Sequence, residues 1–351
     1  MSRALFPGAM GPEGFISCFD HLLEAPKLRR RLILKGGPGV GKSTFIRQLH
    51  AALDSEDAPS TLYFCSGDPD SLDAAALPAQ GLVVLDGTAP HTTDAVLPGA
   101  RDSLINLGDC LDEAALRQKR GAIEACMQAH RACTRRARVC LSGASLWMRG
   151  NAALIAEAMQ ERRVERMTRA LIQSVLHGRA APCVLPAVRP VITDAVTCKG
   201  QISFITDSLP ERIIRLSGRP GMDFTPLLKR LSRAAQDAGF SVEEHLNPLC
   251  PGGLLHVGVP ALSTLVTTSP LPEAEQVFDL NTCIPEAALM NAEASLCRGM
   301  DAARLHIQYA KDALCEAKAL HDELEAFYVP HMDFTRWKTI FEHTLSSLKE
   351  S

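Results

Sequence analysis

The sequence lacks the features of secreted, membrane-spanning and zinc-binding proteins. No apolar run approaches the length of a membrane span, and the first residues do not follow a signal-peptide pattern. The 12 cysteines form no C-x-x-C pair and no Cys/His cluster with zinc-ligand spacing. An excess of one charge is also missing, because the formal net charge is only −3. We therefore expect a cytoplasmic protein with no membrane partner and no general attraction for nucleic acid or anionic lipid.

Three of the cysteines recur every seven residues along a helical pattern, at Cys126, Cys133 and Cys140. This spacing places them near one face of a helix. A thiol cluster is one interpretation. The pattern favours the other, in which the thiols are small buried hydrophobic groups in a reducing compartment.

What the sequence does contain is a complete phosphate-binding loop pattern, G-x-x-x-x-G-K-[ST], over residues 36–43. Glycines let backbone N–H groups approach phosphate oxygens, Lys42 is placed to reach the β- and γ-phosphates, and the Ser43 hydroxyl is placed to bind Mg²⁺. Apolar residues 32–34 before the loop and a helical pattern after it predict a strand, a loop and a helix N-terminus. The predicted nucleotide-binding residues are Gly36, Gly37, Pro38, Gly39, Val40, Gly41, Lys42, Ser43 and Thr44.

A second motif follows at residues 82–86, where four apolar residues end in Asp86. This is the pattern of a Walker B strand, and a buried strand would place Asp86 beside the loop. We expect Ser43 and Asp86 to hold Mg²⁺, and Lys42 and Asp86 to act in catalysis. Gly87 follows Asp86 where many ATPases have a glutamate that activates water. The base must then come from elsewhere.

Two segments could supply that base. Asp68 lies in an acidic segment, residues 66–73, just after a predicted strand, and could act as general base or as a water-mediated Mg²⁺ ligand. The alternative is a solvated Asp-Pro turn. His91, directly after the Asp86 motif, could orient a phosphate or shuttle a proton, and the alternative is a residue that caps a loop.

The chain contains an internal duplication. A shift of 182 residues aligns Leu34, Gly36 and Gly39 with Leu216, Gly218 and Gly221, and a later block aligns at a shift of 173. We therefore predict two tandem P-loop NTPase-like units, residues 1–181 and 182–351. Each is expected to be an α/β unit with a parallel sheet flanked by helices and a long helical hairpin beside it. The predicted elements are strands 30–35, 61–65 and 82–85 and helices 43–54, 112–141, 152–177, 285–326 and 334–348.

The second unit lacks the residues that would carry the chemistry. Gly41, Lys42 and Asp86 align with Asp223, Phe224 and Thr268. The shift also falls from 182 to 173, a net loss of nine residues, where the first unit has the loop 91–99. Lysine, acidic residues and loop are absent together, which predicts that only the first unit has a working site.

The long helical segments differ in charge. Residues 111–179 carry 13 Lys/Arg and 6 Asp/Glu, and Arg131, Arg135 and Arg138 share one helical face. An arginine finger, a clamp on a phosphorylated substrate and a nucleic-acid surface are possible functions. The favoured interpretation is a solvated helix surface facing the acidic helices of the other unit, so a nucleic-acid partner is disfavoured without being excluded.

The motifs together resemble a family of bacterial tandem P-loop proteins. Beside the loop, the resemblance is carried by Asp68-Pro69-Asp70-Ser71-Leu72-Asp73, Asp86-Gly87-Thr88-Ala89-Pro90-His91 and Pro98-Gly99. It covers nearly the whole chain, and members are described only as ATPases or nucleotide-binding proteins. The resemblance implies an ATP-binding fold without naming a substrate. The sequence departs from an intact tandem pattern at Asp223 and Phe224.

The sequence thus predicts an NTPase that binds ATP and Mg²⁺ and hydrolyses ATP at one site. A GTPase is less expected, because no Asn-Lys-x-Asp motif is present. One alternative is a phosphotransferase in which Asp68 or Asp70 accepts a proton from a small-molecule hydroxyl. Another is a non-enzymatic nucleotide sensor whose second unit binds a protein partner.

Overall fold

The computed structural model describes residues 2–23, 28–55, 58–183 and 185–350. Among these residues, the first half contains eight strands and five α-helices, and its last three elements are helices. The elements are β1 (Arg3–Leu5), β2 (Gly8–Gly11), β3 (Gly14–Ser17), α1 (Phe19–Leu23), β4 (Arg30–Lys35), α2 (Lys42–Leu53), β5 (Thr61–Phe64), β6 (Leu72–Leu77), β7 (Leu82–Asp86), β8 (Asp102–Asn106), α3 (Glu113–Gln118), α4 (Arg120–Ala158) and α5 (Glu161–Leu176).

The second half repeats this order without a counterpart of α1 and with a short 3₁₀ turn, Glu286–Leu289, in place of α3. Its elements are β9 (Val188–Val191), β10 (Asp194–Thr197), β11 (Gly200–Ser203), β12 (Arg212–Ser217), α6 (Thr225–Asp237), β13 (Val242–Leu246), β14 (Leu254–Val259), β15 (Thr264–Thr267), β16 (Gln276–Asp279), α7 (Glu293–Tyr328) and α8 (Phe334–Lys349).

The two halves form six-stranded sheets of the same topology. The first sheet has the order β1-β5-β6-β7-β4-β8, and the second has β9-β13-β14-β15-β12-β16. The hairpin of β2 and β3 is likewise matched by the hairpin of β10 and β11. The structure therefore contains two similar α/β units, as the sequence duplication predicts.

The prediction of a parallel sheet is wrong, because both sheets are mixed. Strand β6 runs antiparallel to both β5 and β7, while β4 is parallel to β7 and β8. Strands β6 and β7 are joined by the 3₁₀ turn Pro78–Gln80 and by Gly81, at φ 59°. A connection this short joins antiparallel neighbours, since a parallel pair needs a crossover of a dozen residues or more.

The predicted helical hairpin within each unit is also wrong. Helix α4 is one continuous helix, and it packs antiparallel to α7 of the other half. At one end of this contact, Asn151 Nδ2 donates to Leu296 O at 2.8 Å. At the other, Cys126 Sγ donates to Leu320 O at 3.2 Å. Between these two ends, Ala137 and Leu141 of α4 pack with Leu314 of α7 in one buried cluster.

The helices that follow α4 and α7 cross to the opposite sheet. Leu171 and Val175 of α5 pack with Leu228 of α6 in the second core. In the same way, Trp337 of α8 packs with Phe45 of α2 in the first core. The boundary at 181/182 separates the two sheets, yet each core contains a helix from the other side of it.

The first sheet has apolar clusters on both faces. Leu32 and Leu34 of β4 pack with α2 on one face, and Ile33 packs with Phe19 and Val83 on the other. This alternation follows from the two-residue period of a strand. Because α2 follows β4 after a short loop, the helix starts at the carboxyl end of that strand. In the described part of the chain, no helix is long and apolar enough to cross a membrane.

On α4, two of the three cysteines are buried as the favoured interpretation expects, whereas Cys140 is only half-buried. Cys126 and Cys133 are buried, and Cys133 Sγ lies 3.8 Å from Glu316 Oε2 of α7. The three arginines of the common face, Arg131, Arg135 and Arg138, are exposed. Their neighbour Arg136 forms an ion pair with Glu316, so the basic helix does contact the acidic one.

Candidate functional site

The loop of residues 36–41 connects β4 to the first residue of α2, Lys42. Gly39 and Gly41 have φ angles of 71° and 80°, a left-handed conformation that favours glycine. No side chain among the described residues caps the start of α2, where Gly41 is the N-cap. The first N–H groups of a helix lack intrahelical partners and attract anions. The glycine loop therefore leads into a helix start without a side-chain cap.

The Lys42 side chain folds back over this loop. Its Nζ donates to Gly36 O at 2.8 Å and to Gly37 O at 2.9 Å. It also lies 3.6 Å from Asp86 Oδ2, and both side chains are more than four-fifths buried. The structure thus brings together the ammonium and the carboxylate that the two motifs predict.

Asp86 is oriented by its own strand end. Strand β7 pairs in parallel with β4, with Asp86 opposite Leu34. The Asp86 Oδ1 atom accepts hydrogen bonds from Thr88 N at 2.8 Å and from Thr88 Oγ1 at 2.6 Å. These bonds leave Oδ2 directed at Lys42. The carboxylate is therefore held in one orientation before any ligand arrives.

Ser43 has a contact that is common to both units. Its Oγ accepts a hydrogen bond from Leu72 N at 2.9 Å, and Thr225 Oγ1 accepts one from Leu254 N at 3.1 Å. The hydroxyl thus ties a helix to β6 or β14, whether or not the unit has Lys42. This contact alone gives no evidence for the predicted Mg²⁺ role.

The predicted metal site fits the oxygen chemistry of Mg²⁺ in part. Ser43 Oγ and Asp86 Oδ2 are hard oxygen donors at the same sheet edge. No group of three or more His, Cys, Asp or Glu in the described ranges could hold a metal ion by itself. Mg²⁺ commonly binds through one or two protein oxygens together with substrate phosphates. The donor set is therefore sufficient only if a phosphate completes it.

Both carboxylate oxygens of Asp68 have partners within the structure. Its Oδ2 accepts a hydrogen bond from Ser71 Oγ at 2.9 Å, and its Oδ1 accepts one from Asp70 N at 3.3 Å. Lys318 Nζ of α7 lies 3.5 Å from Oδ2. The neighbouring Asp70 pairs with Lys199 at 2.5 Å, and this contact holds the pKa of Asp70 below its usual range. Two lysines of the second unit therefore form ion pairs with the acidic segment.

His91 lies apart from the Lys42 and Asp86 pair. Its ring stacks on Phe19 at a centroid distance of 4.0 Å and meets Phe15 edge-on at 4.8 Å. The Nε2 atom lies 3.3 Å from Asp73 Oδ2. Phe19 belongs to the cluster on the face of the sheet opposite α2. The structure thus places His91 on that face, in a buried aromatic contact.

The loop between β7 and β8 is anchored by a buried ion pair. Arg31 Nη2 lies 2.5 Å from Asp102 Oδ2, and neither side chain is exposed. Burial alone would raise the pKa of Asp102. Hydrogen bonds from Arg101 and from the N–H groups of Leu97 and Val96 hold it well below its usual value. At the 182 shift Arg31 aligns with Ile213, so the second unit has no such anchor.

The second unit forms one wall of the first loop. A Cβ on Gly37 would lie 3.4 Å from the Tyr328 ring, and one on Gly41 would lie 3.1 Å from Trp337 Nε1. A Cβ on Gly39 would lie 3.2 Å from the carbonyl oxygen of Glu325. Motif analysis missed these residues because they follow no P-loop pattern. Their position at the loop depends on how α7 and α8 pack against the first unit.

The second loop keeps its turn but has a different helix start. Gly221 has a φ of 87°, close to that of Gly39. The Asp223 Oδ1 atom accepts a hydrogen bond from Thr225 N, the first residue of α6, at 2.8 Å. Phe224, which replaces Lys42, packs against the apolar clusters of the second unit. This helix start therefore has its own carboxylate and no ammonium.

No protein-family model matches the chain, and no match was found among the curated proteins or the solved structures. The resemblance to tandem P-loop proteins therefore remains a prediction based on the motifs. What the structure establishes is a pair of similar α/β units with mixed sheets, of which only the first has a lysine and an aspartate at its glycine loop.

Proposed function

We propose that the chain is a P-loop NTPase that binds ATP and Mg²⁺ and hydrolyses ATP at a single site in its first unit. One observation carries the proposal. Lys42, Asp86 and the uncapped start of α2 meet at one sheet edge, with 3.6 Å between the ammonium and the carboxylate. The same edge of the second unit has Phe224 and Thr268 instead.

Each residue has a role in this proposal. The N–H groups of residues 39–44 and the Lys42 ammonium would bind the β- and γ-phosphates, and Lys42 would give up its bonds to Gly36 O and Gly37 O. Ser43 and Asp86 would hold Mg²⁺, which supplies positive charge against the phosphates. Catalysis at such sites is mostly positioning and charge stabilisation, so we expect slow intrinsic turnover.

A nucleotide sensor is the second candidate. The packing of Tyr328 and Trp337 against the loop glycines favours it, because a nucleotide at this loop would contact the second unit directly. The phosphotransferase alternative has less support, since Asp68 is already bound by Ser71 and Lys318.

Nucleotide binding is tested by thermal unfolding with and without ATP and Mg²⁺. A ligand at about 100 times its Kd adds roughly 2.7 kcal/mol to the free energy of unfolding. Lys42→Ala should lose most of this gain, while Lys229→Ala, an exposed lysine of α6, should keep it. Equal ATP stabilisation of wild type and Lys42→Ala would refute the assignment of the site.

Turnover separates the candidates once binding is established. Phosphate release from ATP without any acceptor supports the NTPase. Dependence of turnover on an added hydroxyl compound would support the phosphotransferase, and binding without turnover would support the sensor.

A further inference from the structure

Each unit has a cavity beside three equivalent strands of its sheet. The first cavity has a volume of about 320 Å³ beside β5, β6 and β7, and the second has about 360 Å³ beside β13, β14 and β15. Both volumes lie at the lower end of the range of about 300–1,000 Å³ for small-molecule sites. At the shift of 182, eight lining residues of the first cavity align with eight of the second, among them Thr61 with Glu243 and Tyr63 with His245. The duplication therefore extends to the cavities.

Each cavity also contains an arginine from the other half of the chain. Arg189 of β9 lines the first cavity, and Arg3 of β1 lines the second. The two arginines have equivalent positions, because Arg3 pairs with Thr61 in its own sheet and Arg189 pairs with Glu243 in its own. A ligand in either cavity would therefore contact both halves of the chain.

Only the second cavity has a carboxylate beside its arginine. Arg3 Nη1 donates to Glu243 Oε1 at 3.0 Å, and Arg3 Nη2 donates to Oε2 at 2.8 Å. In the first cavity, Thr61 takes the place of Glu243. In the parts of the chain that the structure describes, no carboxylate forms an ion pair with Arg189, which is exposed. The first cavity therefore has the guanidinium of its counterpart without the carboxylate.

The rest of the first cavity offers apolar surface and one hydroxyl. Leu5, Leu77 and Val83 are buried residues that line it. Burial raises the pKa of Tyr63 to about 12, while the nearby Arg189 acts in the opposite direction. The Tyr63 hydroxyl is therefore protonated at neutral pH, and within the described ranges it has no hydrogen-bond partner. The cavity thus combines apolar surface with a cation and a hydroxyl donor.

We propose that the first cavity binds a small carboxylate with an apolar tail, whose carboxylate pairs with Arg189 as Glu243 pairs with Arg3. A guanidinium binds a carboxylate through two parallel hydrogen bonds, which favours this group over a neutral one. Burying the tail against the apolar lining adds to the affinity. The second cavity does not bind the same ligand, because Glu243 already occupies Arg3.

This site is separate from the proposed nucleotide site. Tyr63 and Val83 belong to the cluster on the face of the first sheet opposite α2, whereas Lys42 is the first residue of α2. The carboxylate site does not depend on the proposed function. Lys42→Ala should bind a carboxylate as wild type does, so failure of one proposal leaves the other to be judged by its own test.

The first test is calorimetric titration of the full-length protein with octanoate and with octan-1-ol, which has the same chain length and no charge. Wild type should bind one octanoate per chain. Arg189→Gln should bind octanoate about tenfold more weakly, on the scale of a hydrogen bond to a charged group, with little change for octan-1-ol. Arg233→Gln, which removes an exposed arginine of α6, should match wild type. No octanoate binding by wild type, or equal affinities in wild type and Arg189→Gln, would overturn the proposal.

The second test gives the first cavity the carboxylate of its counterpart. Thr61→Glu should pair with Arg189 and weaken octanoate binding about tenfold relative to Thr61→Gln, which has the same size without the charge. Thermal unfolding checks that both variants are folded. Equal octanoate affinities in the two folded variants would contradict the pairing with Arg189. If neither variant folds, the comparison of Arg189→Gln with wild type decides.

Discussion

Helices α2 and α6 begin after glycine loops of similar shape, with Gly39 and Gly221 both in the left-handed region. At the start of α6, Asp223 accepts a backbone N–H, and Pro226 lacks one. At the start of α2, Gly41 offers no side chain, and Lys42 lies over the loop. The second helix start therefore supplies its own anion, whereas the first has no side-chain cap, which is part of our reason for proposing that it binds phosphate.

The comparison separates scaffold from chemistry within one chain. Residues that shape the turn persist in both units, as does the hydroxyl that ties α2 to β6 and α6 to β14. The ammonium of Lys42 and the carboxylate of Asp86 occur only in the first unit, because Phe224 and Thr268 stand at the aligned positions of the second. Positions that differ together in this way are the ones that we assign to binding.

The largest expected effect is on the free energy of unfolding and concerns the β7–β8 loop, which the Arg31–Asp102 ion pair anchors. Asp102→Asn leaves the Arg31 guanidinium buried without a charged partner, so we expect a loss of about 3–5 kcal/mol in the free energy of unfolding. Glu275→Gln is the control, because Glu275 is exposed and lies 4.0 Å from Arg212. Its loss should stay below about 1 kcal/mol. Urea unfolding measures both, and equal losses would contradict the anchoring role.

The pH dependence of the same pair has a definite sign. The pKa of Asp102 is lower in the folded protein than in the unfolded chain, so its stabilisation is complete above the unfolded value of about 3.9. It is lost as the pH falls through the lower, folded value. Urea unfolding of wild type and Asp102→Asn should therefore show a constant difference from neutral pH to about pH 4 and a smaller one below. A difference that grows on acidification would refute the assignment.

A somewhat smaller effect tests the packing of α8, which lies in the core of the first unit as α5 lies in the core of the second. Trp337→Ala should cost about 3 kcal/mol in the free energy of unfolding and weaken ATP binding, because Trp337 packs on Phe45 and beside Gly41. Lys338→Ala, at an exposed neighbouring position, should change neither quantity much. Thermal unfolding with and without ATP measures both. An unchanged ATP affinity of Trp337→Ala would contradict a role of α8 in ATP binding.

The smallest effect concerns the metal. In the presence of Mg²⁺, Asp86→Asn should bind ATP about tenfold more weakly than wild type, on the scale of one charged hydrogen-bond acceptor. Without the metal, the difference in affinity should be smaller. Asp94→Asn, an exposed carboxylate on the same loop, serves as the control. Titrations with Mg²⁺ and with EDTA measure the difference. Equal metal dependence in wild type and Asp86→Asn would exclude Asp86 as a ligand.

The local elements of the site could be predicted from the sequence. Strand β4 matches the predicted 30–35, and α2 begins one residue before the predicted 43, because an apolar run and a helical pattern are local signals. Strand β6 was missed, since Leu-Asp-Ala-Ala-Ala-Leu is rich in alanine, which is uncommon in strands. The crossing of α5 and α8 depends on which buried faces match in space. The approach of the Glu325 backbone to Gly39 likewise depends on the antiparallel pairing of α4 and α7, which no local motif encodes.

The most direct test of the single-site account is calorimetric titration of the full-length chain with ATP and Mg²⁺. We predict one nucleotide per chain in wild type, none in Lys42→Ala and still only one in Phe224→Lys. The last variant should gain no site because Asp223 remains, and two like charges about 4 Å apart cost on the order of 4 kcal/mol at an effective dielectric of ~20. Two equivalent sites per chain, or an undiminished site in Lys42→Ala, would contradict the account.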